Sequence, residues 1–214
     1  MLARLPASSQ ARLLETALEV DVDAGHVIRR QNATASAPVV VVIEGLARVV
    51  ARSPHGRQLT ARYVRPGGVA GIATALAHGA PHGLAAVTRC CLVMVQASAV
   101  RYVAETDLET ASIICRAMTE IIVDLTTELS SCVFRSVPER LAAALVELSD
   151  ESGGVLVVDA SQQELADTIG SVREVVARAL RQLQEATLIR RDGARIVIDD
   201  LKGLEHMAAL RASV

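Results

Sequence analysis

The sequence predicts an α+β protein built as an N-terminal β-roll, one long helix and a C-terminal winged helix-turn-helix. Short apolar runs broken by turn residues fill residues 18–96, the mark of closely spaced strands. Apolar residues then recur at steps of three, four and seven across residues 106–134, the period of a helix face. From Ser161 onward come a helix-capping pattern, a glycine stop, a second amphipathic stretch and an Asp-Gly turn between two β-like runs. These divisions place a roll domain over 1–105, a helix over 106–135 and a winged domain over 136–214.

In the first part the apolar runs are Val27–Ile28, Val39–Ile43, Leu46–Val50, Leu59–Val64, Leu84–Val87 and Cys91–Val95. Gly25, Gly45, Pro54-His55-Gly56 and Pro66-Gly67-Gly68 punctuate them, and His55-Gly56 suits a hairpin. Ala7–Leu18 has helical composition, and Ile72–Ala77 reads as a short helix. Hydrophobic residues are 51% of the 214 and aromatics only 1%, so the cores are aliphatic.

The long helix carries Ile114, Met118, Ile121, Leu125 and Cys132 on one stripe, widened by Ile113, Ile122, Leu129 and Val133. Such a face is broader than one packing partner requires. One stripe can cover the roll and the other a second subunit, as in a parallel coiled coil. The first five are therefore the predicted dimer interface; the alternative is a single intramolecular core helix.

The third part opens near Pro138, a hinge or a first helical turn. Arg140–Leu148 is amphipathic, Asp150–Gly154 reads as a loop and Val155–Val158 as a strand. Ser161-Gln162-Gln163-Glu164 is a capping box, in which the hydroxyl bonds an orphan amide and the carboxylate reaches back. Leu165 and Ile169 face inward, Gly170 stops the helix, and Ser171 can cap the next one. That second helix has Val175, Val176, Ala179, Leu180 and Leu183 on its apolar side. Arg173, Glu174, Arg178 and Arg181 lie elsewhere around it.

Two short helices joined this way form a helix-turn-helix whose second helix enters the major groove. Arg173 can donate two bonds to guanine and Glu174 can accept from cytosine, with Arg178 one turn further on. Leu188–Ile198 reads as a wing, whose Arg190, Arg191 and Arg195 can contact phosphates. Gln162, Ser171 and Arg181 complete the predicted DNA contacts.

Charge argues against this at first. The chain carries a net −2, and from Ser136 on there are 9 basic and 13 acidic residues. Yet six of the nine cations are Arg173, Arg178, Arg181, Arg190, Arg191 and Arg195, all on the second helix or the wing. A local basic footprint needs no global field.

Over nearly the whole chain these features resemble the cyclic-AMP receptor protein and fumarate–nitrate regulator (CRP/FNR) superfamily. The resemblance is strongest over Ser136–Ile198: Gln163-Glu164-Leu165-Ala166 leads to Ile169-Gly170, followed by Arg173-Glu174-Val175-Val176, Arg178, Leu183 and Leu188-Ile189. It implies that Arg173, Glu174 and Arg178 read bases. Val172 departs from the family's usual capping Ser or Thr. In the first part Ala24-Gly25, Glu44-Gly45, Gly56-Arg57 and Pro66-Gly67-Gly68 resemble the family's cyclic-nucleotide-binding-like sensor roll.

Members that bind cyclic AMP use a Gly-Glu pair for the ribose and an Arg-Ser pair for the phosphate. The corresponding segments here read Val69-Ala70-Gly71-Ile72 and His82-Gly83-Leu84-Ala85. Val69, Ala70, Gly71, Ile72, His82, Gly83 and Leu84 thus mark the expected effector pocket, without the nucleotide signature. An anionic phosphate buried with no cation would be costly, and Arg89 sits at the wrong spacing. Control by cyclic AMP is not expected.

Haem is not expected either: His78 and His82 are four apart, but Gly79, Ala80 and Pro81 intervene. His26, His55 and His206 have no evident partners. No cysteine precedes Cys90, which argues against the family's iron–sulfur branch. Cys90, Cys91, Cys115 and Cys132 form no CxxC or Cys/His zinc pattern. Cys90 and Cys91 read as buried strand residues pointing to opposite faces.

The expected partners are double-stranded DNA, a second copy of the chain and, as a candidate, RNA polymerase. The competing reading is a sensor whose winged helix binds a protein. No Ser–His–acid spacing, phosphate loop or metal cluster supports an enzyme. Val39–Ile43 is too short to span a bilayer and the N-terminus lacks the pattern of an export signal, so a cytoplasmic protein with no membrane partner is expected.

Overall fold

The computed structural model describes residues 4–32, 36–53, 58–77, 79, 82–193 and 195–209, leaving aside the side chains of Glu128, Ser131 and Cys132. The chain forms two compact units, Met1–Thr126 and Thr127–Val214.

The first unit contains α1 (Ala7–Leu14), β1 (Leu18–Val22), β2 (Val27–Arg29), β3 (Val39–Glu44), β4 (Ala47–Arg52) and β5 (Gln58–Val64). After these come β6 (Val69–Ala70), α2 (Ile72–Leu76), β7 (Gly83–Ala86), β8 (Cys90–Val95), α3 (Ala97–Thr106) and most of α4 (Leu108–Phe134). Two four-stranded antiparallel sheets result, in the orders β1-β8-β3-β6 and β2-β7-β4-β5. Val40, Val42 and Leu92 from the first sheet share one core with Ala47, Val64, Leu84 and Ala86 from the second. Val39, Val41 and Val95 point the other way, into a core with Leu13, Ile72, Val100, Val103 and Ile114. The run of valines is continuous because both faces of β3 are buried; one-sided strands alternate.

The roll and its short helix α2 follow the sequence reading. Leu18, expected at the end of a helix, instead begins β1 and pairs with Met94. Helix α3 has no counterpart in the sequence reading, and the long helix starts at Leu108, not near 106. The break between them is Asp107, whose Oδ1 accepts from the Glu109 amide at 3.1 Å. Its Oδ2 accepts from the Thr110 and Ser9 hydroxyls at 2.6 and 2.8 Å. Asp107 is thus the N-cap of α4. Strands β4 and β5 pair from Ala47↔Val64 to Arg52↔Gln58. The predicted His55-Gly56 turn lies outside the described residues.

The second unit contains α5 (Val137–Leu148), β9 (Asp150–Ser152), β10 (Val155–Val158), α6 (Gln162–Ile169) and α7 (Arg173–Glu185). It ends with β11 (Ile189–Asp192), β12 (Arg195–Ile198) and α8 (Leu201–Ala209). Pro138 sits in the first turn of α5, behind a capping box in which the Ser136 amide donates to Glu139 Oε2 at 2.7 Å. The loop expected over Asp150–Gly154 is only partly a loop. Asp150–Ser152 pairs with β10, because Gly153 and Gly154 both take positive φ (62° and 80°) and close a tight hairpin. Leu141, Leu145, Leu165, Val176, Leu180, Leu183, Ile196 and Leu204 fill one aliphatic core.

The hydroxyls of Thr110 and Ser9 hold the Asp107 carboxyl below the usual carboxylate range. A depressed folded value means stability present above the unfolded pKa and lost as pH falls through the folded one. Denaturation followed from about pH 5 down to about pH 2 should show a shallower acid loss in Asp107→Asn than in the parent chain.

Candidate nucleic-acid interface and sensor cavity

The predicted capping box forms. The Glu164 amide donates to Ser161 Oγ at 3.2 Å, and the Ser161 amide donates to Glu164 Oε2 at 2.8 Å. Gly170 closes α6 in the left-handed region at φ 63°, which costs glycine no Cβ clash. Its amide and that of Ser171 both donate to the Ala166 carbonyl. Ser171 therefore finishes the first helix; it does not cap the second. Helix α7 begins after Val172, which offers no side-chain acceptor. An uncapped helix start leaves amides and a positive dipole end for an outside anion.

Along α7, Val176, Ala179, Leu180 and Leu183 are buried, while Glu174, Arg178, Arg181 and Glu185 are exposed. Steps of four, three and four put those four on one line of the helix surface, opposite the core. Arg173 opens the helix on the flank, its Nε 3.5 Å from Gln162 Oε1. Behind this face, Arg140 of α5 donates from Nη1 to the Ile169 carbonyl at 2.6 Å. That bond holds the last turn of α6 and so the start of the turn. The sequence reading places Arg140 at the start of an amphipathic stretch with no role; the structure supplies one.

In the wing, Asp192 pairs with Arg195, and Gly193 has φ 60°. Arg190, Arg191 and Arg195 are all exposed. Two of them already meet acids: Arg190 Nε lies 2.9 Å from Asp199 Oδ1, and Arg195 Nε 3.6 Å from Asp159 Oδ2. Exposed pairs of this kind hold by about 0–1 kcal/mol, so a phosphate can displace the acid.

In the first unit, a cavity of about 460 Å³ lies in the roll. Of the expected effector residues, Val69, Gly71, Ile72 and His82 line it; Ala70, Gly83 and Leu84 do not. Met118, Ile121, Ile122 and Leu125 of α4 form part of its wall. Ile114, placed by its periodicity on the dimer stripe, is only 5% exposed and belongs to the roll's own core. Ile122, Leu129 and Val133 are more than half exposed instead. The side chain of Cys132 lies outside the described residues, as does His78.

The sequence reading found no cation in the two signature segments; the structure brings two arginines from elsewhere in the roll to the same cavity. Arg29 and Arg62 both line the cavity. Burial lowers the pKa of each, opposed at Arg62 by the charge of Asp124. Each lies at a strand irregularity. The β2–β7 register shifts between Val27 and Arg29, and the β4–β5 register shifts where Val49 and Val50 face Arg62 and Thr60. A bulge re-aims the neighbouring side chain, and no residue pattern announces one. Arg89 is elsewhere, exposed and 3.7 Å from Asp21. Cys90 is buried as expected, but Cys91 is half-buried and its thiol meets Glu19 Oε1 at 3.3 Å.

A winged helix-turn-helix with an arginine-bearing exposed helix face, preceded by a two-sheet roll and a long helix, defines a DNA-binding regulator class. Residues 139–207 match the Crp-like helix-turn-helix domain family, and residues 19–107 the cyclic nucleotide-binding domain family. The transcriptional regulator SdrP of Thermus thermophilus is 30% identical over 175 residues, spanning 79% of this chain and 83% of that protein. A CRP-like cAMP-activated global transcriptional regulator of Mycobacterium tuberculosis is 25% identical over 208 residues, spanning 94% and 92%. The crystal structure of a CRP/FNR-family transcriptional regulator of Thermus thermophilus is similar at TM-score 0.78 and 28% identity, covering 89% of this chain and 98% of that one. The chain belongs to the CRP/FNR family of transcriptional regulators. Among the described residues no helix is long and apolar enough to cross a membrane.

Replacing Arg140 by Met removes the charged donor that holds the Ile169 carbonyl. Chemical denaturation should show a loss of about 1–3 kcal/mol, and DNA affinity should fall although Arg140 lies behind the exposed face. Unchanged stability would show that this bond does not secure the turn.

Proposed function

We propose that this chain is a homodimeric, sequence-specific regulator that reads a roughly palindromic DNA site and is not controlled by cyclic AMP in the usual way. The observation that carries the DNA reading is the exposed line Glu174–Arg178–Arg181 on α7, directly opposite the helix's buried side. Arg173 and Glu174 lead the helix into the major groove and meet guanine and cytosine edges, with Arg178 behind them. Gln162, Ser171, Arg181, Arg190, Arg191 and Arg195 contact the backbone and fix register. The exposed Ile122, Leu129 and Val133 on α4 favour pairing with a second copy, which sets the two half-sites about 34 Å apart.

Residues 1–105 then serve as sensor, 106–135 as dimer helix and 136–214 as reader. RNA polymerase is the further partner. The protein works in the cytoplasm and catalyses no reaction.

Site selection from random duplexes at one fixed salt concentration tests the reading. Arg173→Ala and Arg178→Ala should each lose about 1–3 kcal/mol of discrimination at one base position with little change in thermal midpoint, since both are exposed. Arg191→Ala should weaken all sequences alike and lower the salt slope by about 1. Sequence preference that survives Arg173→Ala would remove the base-reading role.

Excess cyclic AMP should leave the thermal midpoint unmoved. A ligand held at 100 times its Kd would add about 2.7 kcal/mol to the folded state, so a rise of several degrees would refute independence from the nucleotide.

A further inference from the structure

Two guanidinium groups border the Val69–Gly71 segment of the cavity wall. Arg62 Nη2 donates to the Val69 carbonyl at 2.6 Å. Arg29 Nη1 lies 2.6 Å from the point a Gly71 Cβ would occupy. Any side chain at position 71 would displace that guanidinium, so the glycine builds the site as well as the turn. Arg29 is 9% exposed, and its Nε and Nη1 have no hydrogen-bond partner. A buried guanidinium with unpaired donors is costly unless an anion meets it. The cavity lies within the usual 300–1,000 Å³ range of small-molecule sites.

We propose that this cavity binds a small organic carboxylate with an apolar body, the carboxylate meeting Arg29 and Arg62 and the body resting on α4. The inference builds on the reading of the roll as a sensor, and it uses arginines other than the family's phosphate-binding pair. Planar carboxylates match the guanidinium fork in geometry and charge. Met118, Ile121, Ile122 and Leu125 supply a purely aliphatic and thioether surface, which favours a hydrocarbon body over a hydroxylated one. A nucleotide fits poorly: the described lining holds no carboxylate for a ribose hydroxyl and no phenyl, phenol or indole ring to stack a base.

The test is the thermal midpoint of the full chain titrated separately with octanoate, its neutral analogue octanamide, inorganic phosphate and cyclic AMP. Octanoate should raise the midpoint saturably by several degrees. Octanamide and phosphate should need at least tenfold higher concentration for the same shift. Arg29→Met should be at least as stable as the parent without ligand, because an unpartnered buried charge is gone, and should lose the octanoate effect at least tenfold. Arg62→Met should weaken octanoate similarly, and Arg29→Lys, which keeps the charge but not the fork, should fall between.

Equal shifts with octanamide would overturn the proposal, as would an undiminished octanoate effect in Arg29→Met. A saturable cyclic AMP shift lost in Arg29→Met would reassign the site to a nucleotide and overturn it too. Site-specific DNA binding is measured on the same preparations. No octanoate effect in a protein that reads DNA sinks the cavity assignment alone, whereas an octanoate effect in a protein that reads none sinks only the regulator reading.

Discussion

Over Val39–Val42, strand β3 has no solvent face. Val39 and Val41 are buried against the helices, and Val40 and Val42 against the second sheet, all four at most 4% exposed. Full burial of one such side chain is worth about 1.5–3 kcal/mol, so the strand is stable only if both of its sides are covered. The second sheet covers one side; α2, α3 and the first turns of α4 cover the other. This requirement explains why the long helix cannot offer its whole apolar circumference to a partner. Ile114 is committed to the roll, and the exposed apolar residues of α4 include Leu108 at its start and, further along, Ile122, Val123, Leu129, Val133 and Phe134.

The second unit solves a related problem on one helix. Helix α7 must fill a core and present a polar surface, and its 3.6-residue period does both with thirteen residues. The fixed point is the turn before it. Gly170 turns the chain, two amides converge on the Ala166 carbonyl, and Arg140 grips the Ile169 carbonyl from behind. Three hydrogen bonds and one left-handed glycine therefore set the entry angle of a helix whose own first turn has no side-chain cap.

Local chemistry made much of this legible in the sequence. The capping box at Ser161, the stop at Gly170, the α7 periodicity and the Asp192-Gly193 wing are all patterns over a few residues, and each formed as read. What the sequence hid depends on distant partners. The N-cap role of Asp107 uses Ser9, 98 positions away. Strand β9 needed two adjacent glycines at positive φ, which read equally well as a loop. Burial of Ile114 could not be told from dimer burial, because both demand the same periodicity. The cavity arginines were missed because strand alternation predicts faces only while the register is regular, and both strands shift at the residue concerned.

The acids beside the wing bear on how such a protein searches a genome. Arg190 is bonded to Asp199 and Arg195 lies near Asp159, so in the proposed reading the wing would meet a duplex partly neutralised. Each phosphate contact made by either arginine must first evict a carboxylate, which then stands close to the backbone charge. Non-specific affinity grows with the number of phosphates neutralised, and if the wing meets DNA as proposed, each acid offsets that gain by no more than the roughly 0–1 kcal/mol its pair holds. The chain would spend less time parked on the wrong sequence, and a larger share of its hold on the right one would come from the bases.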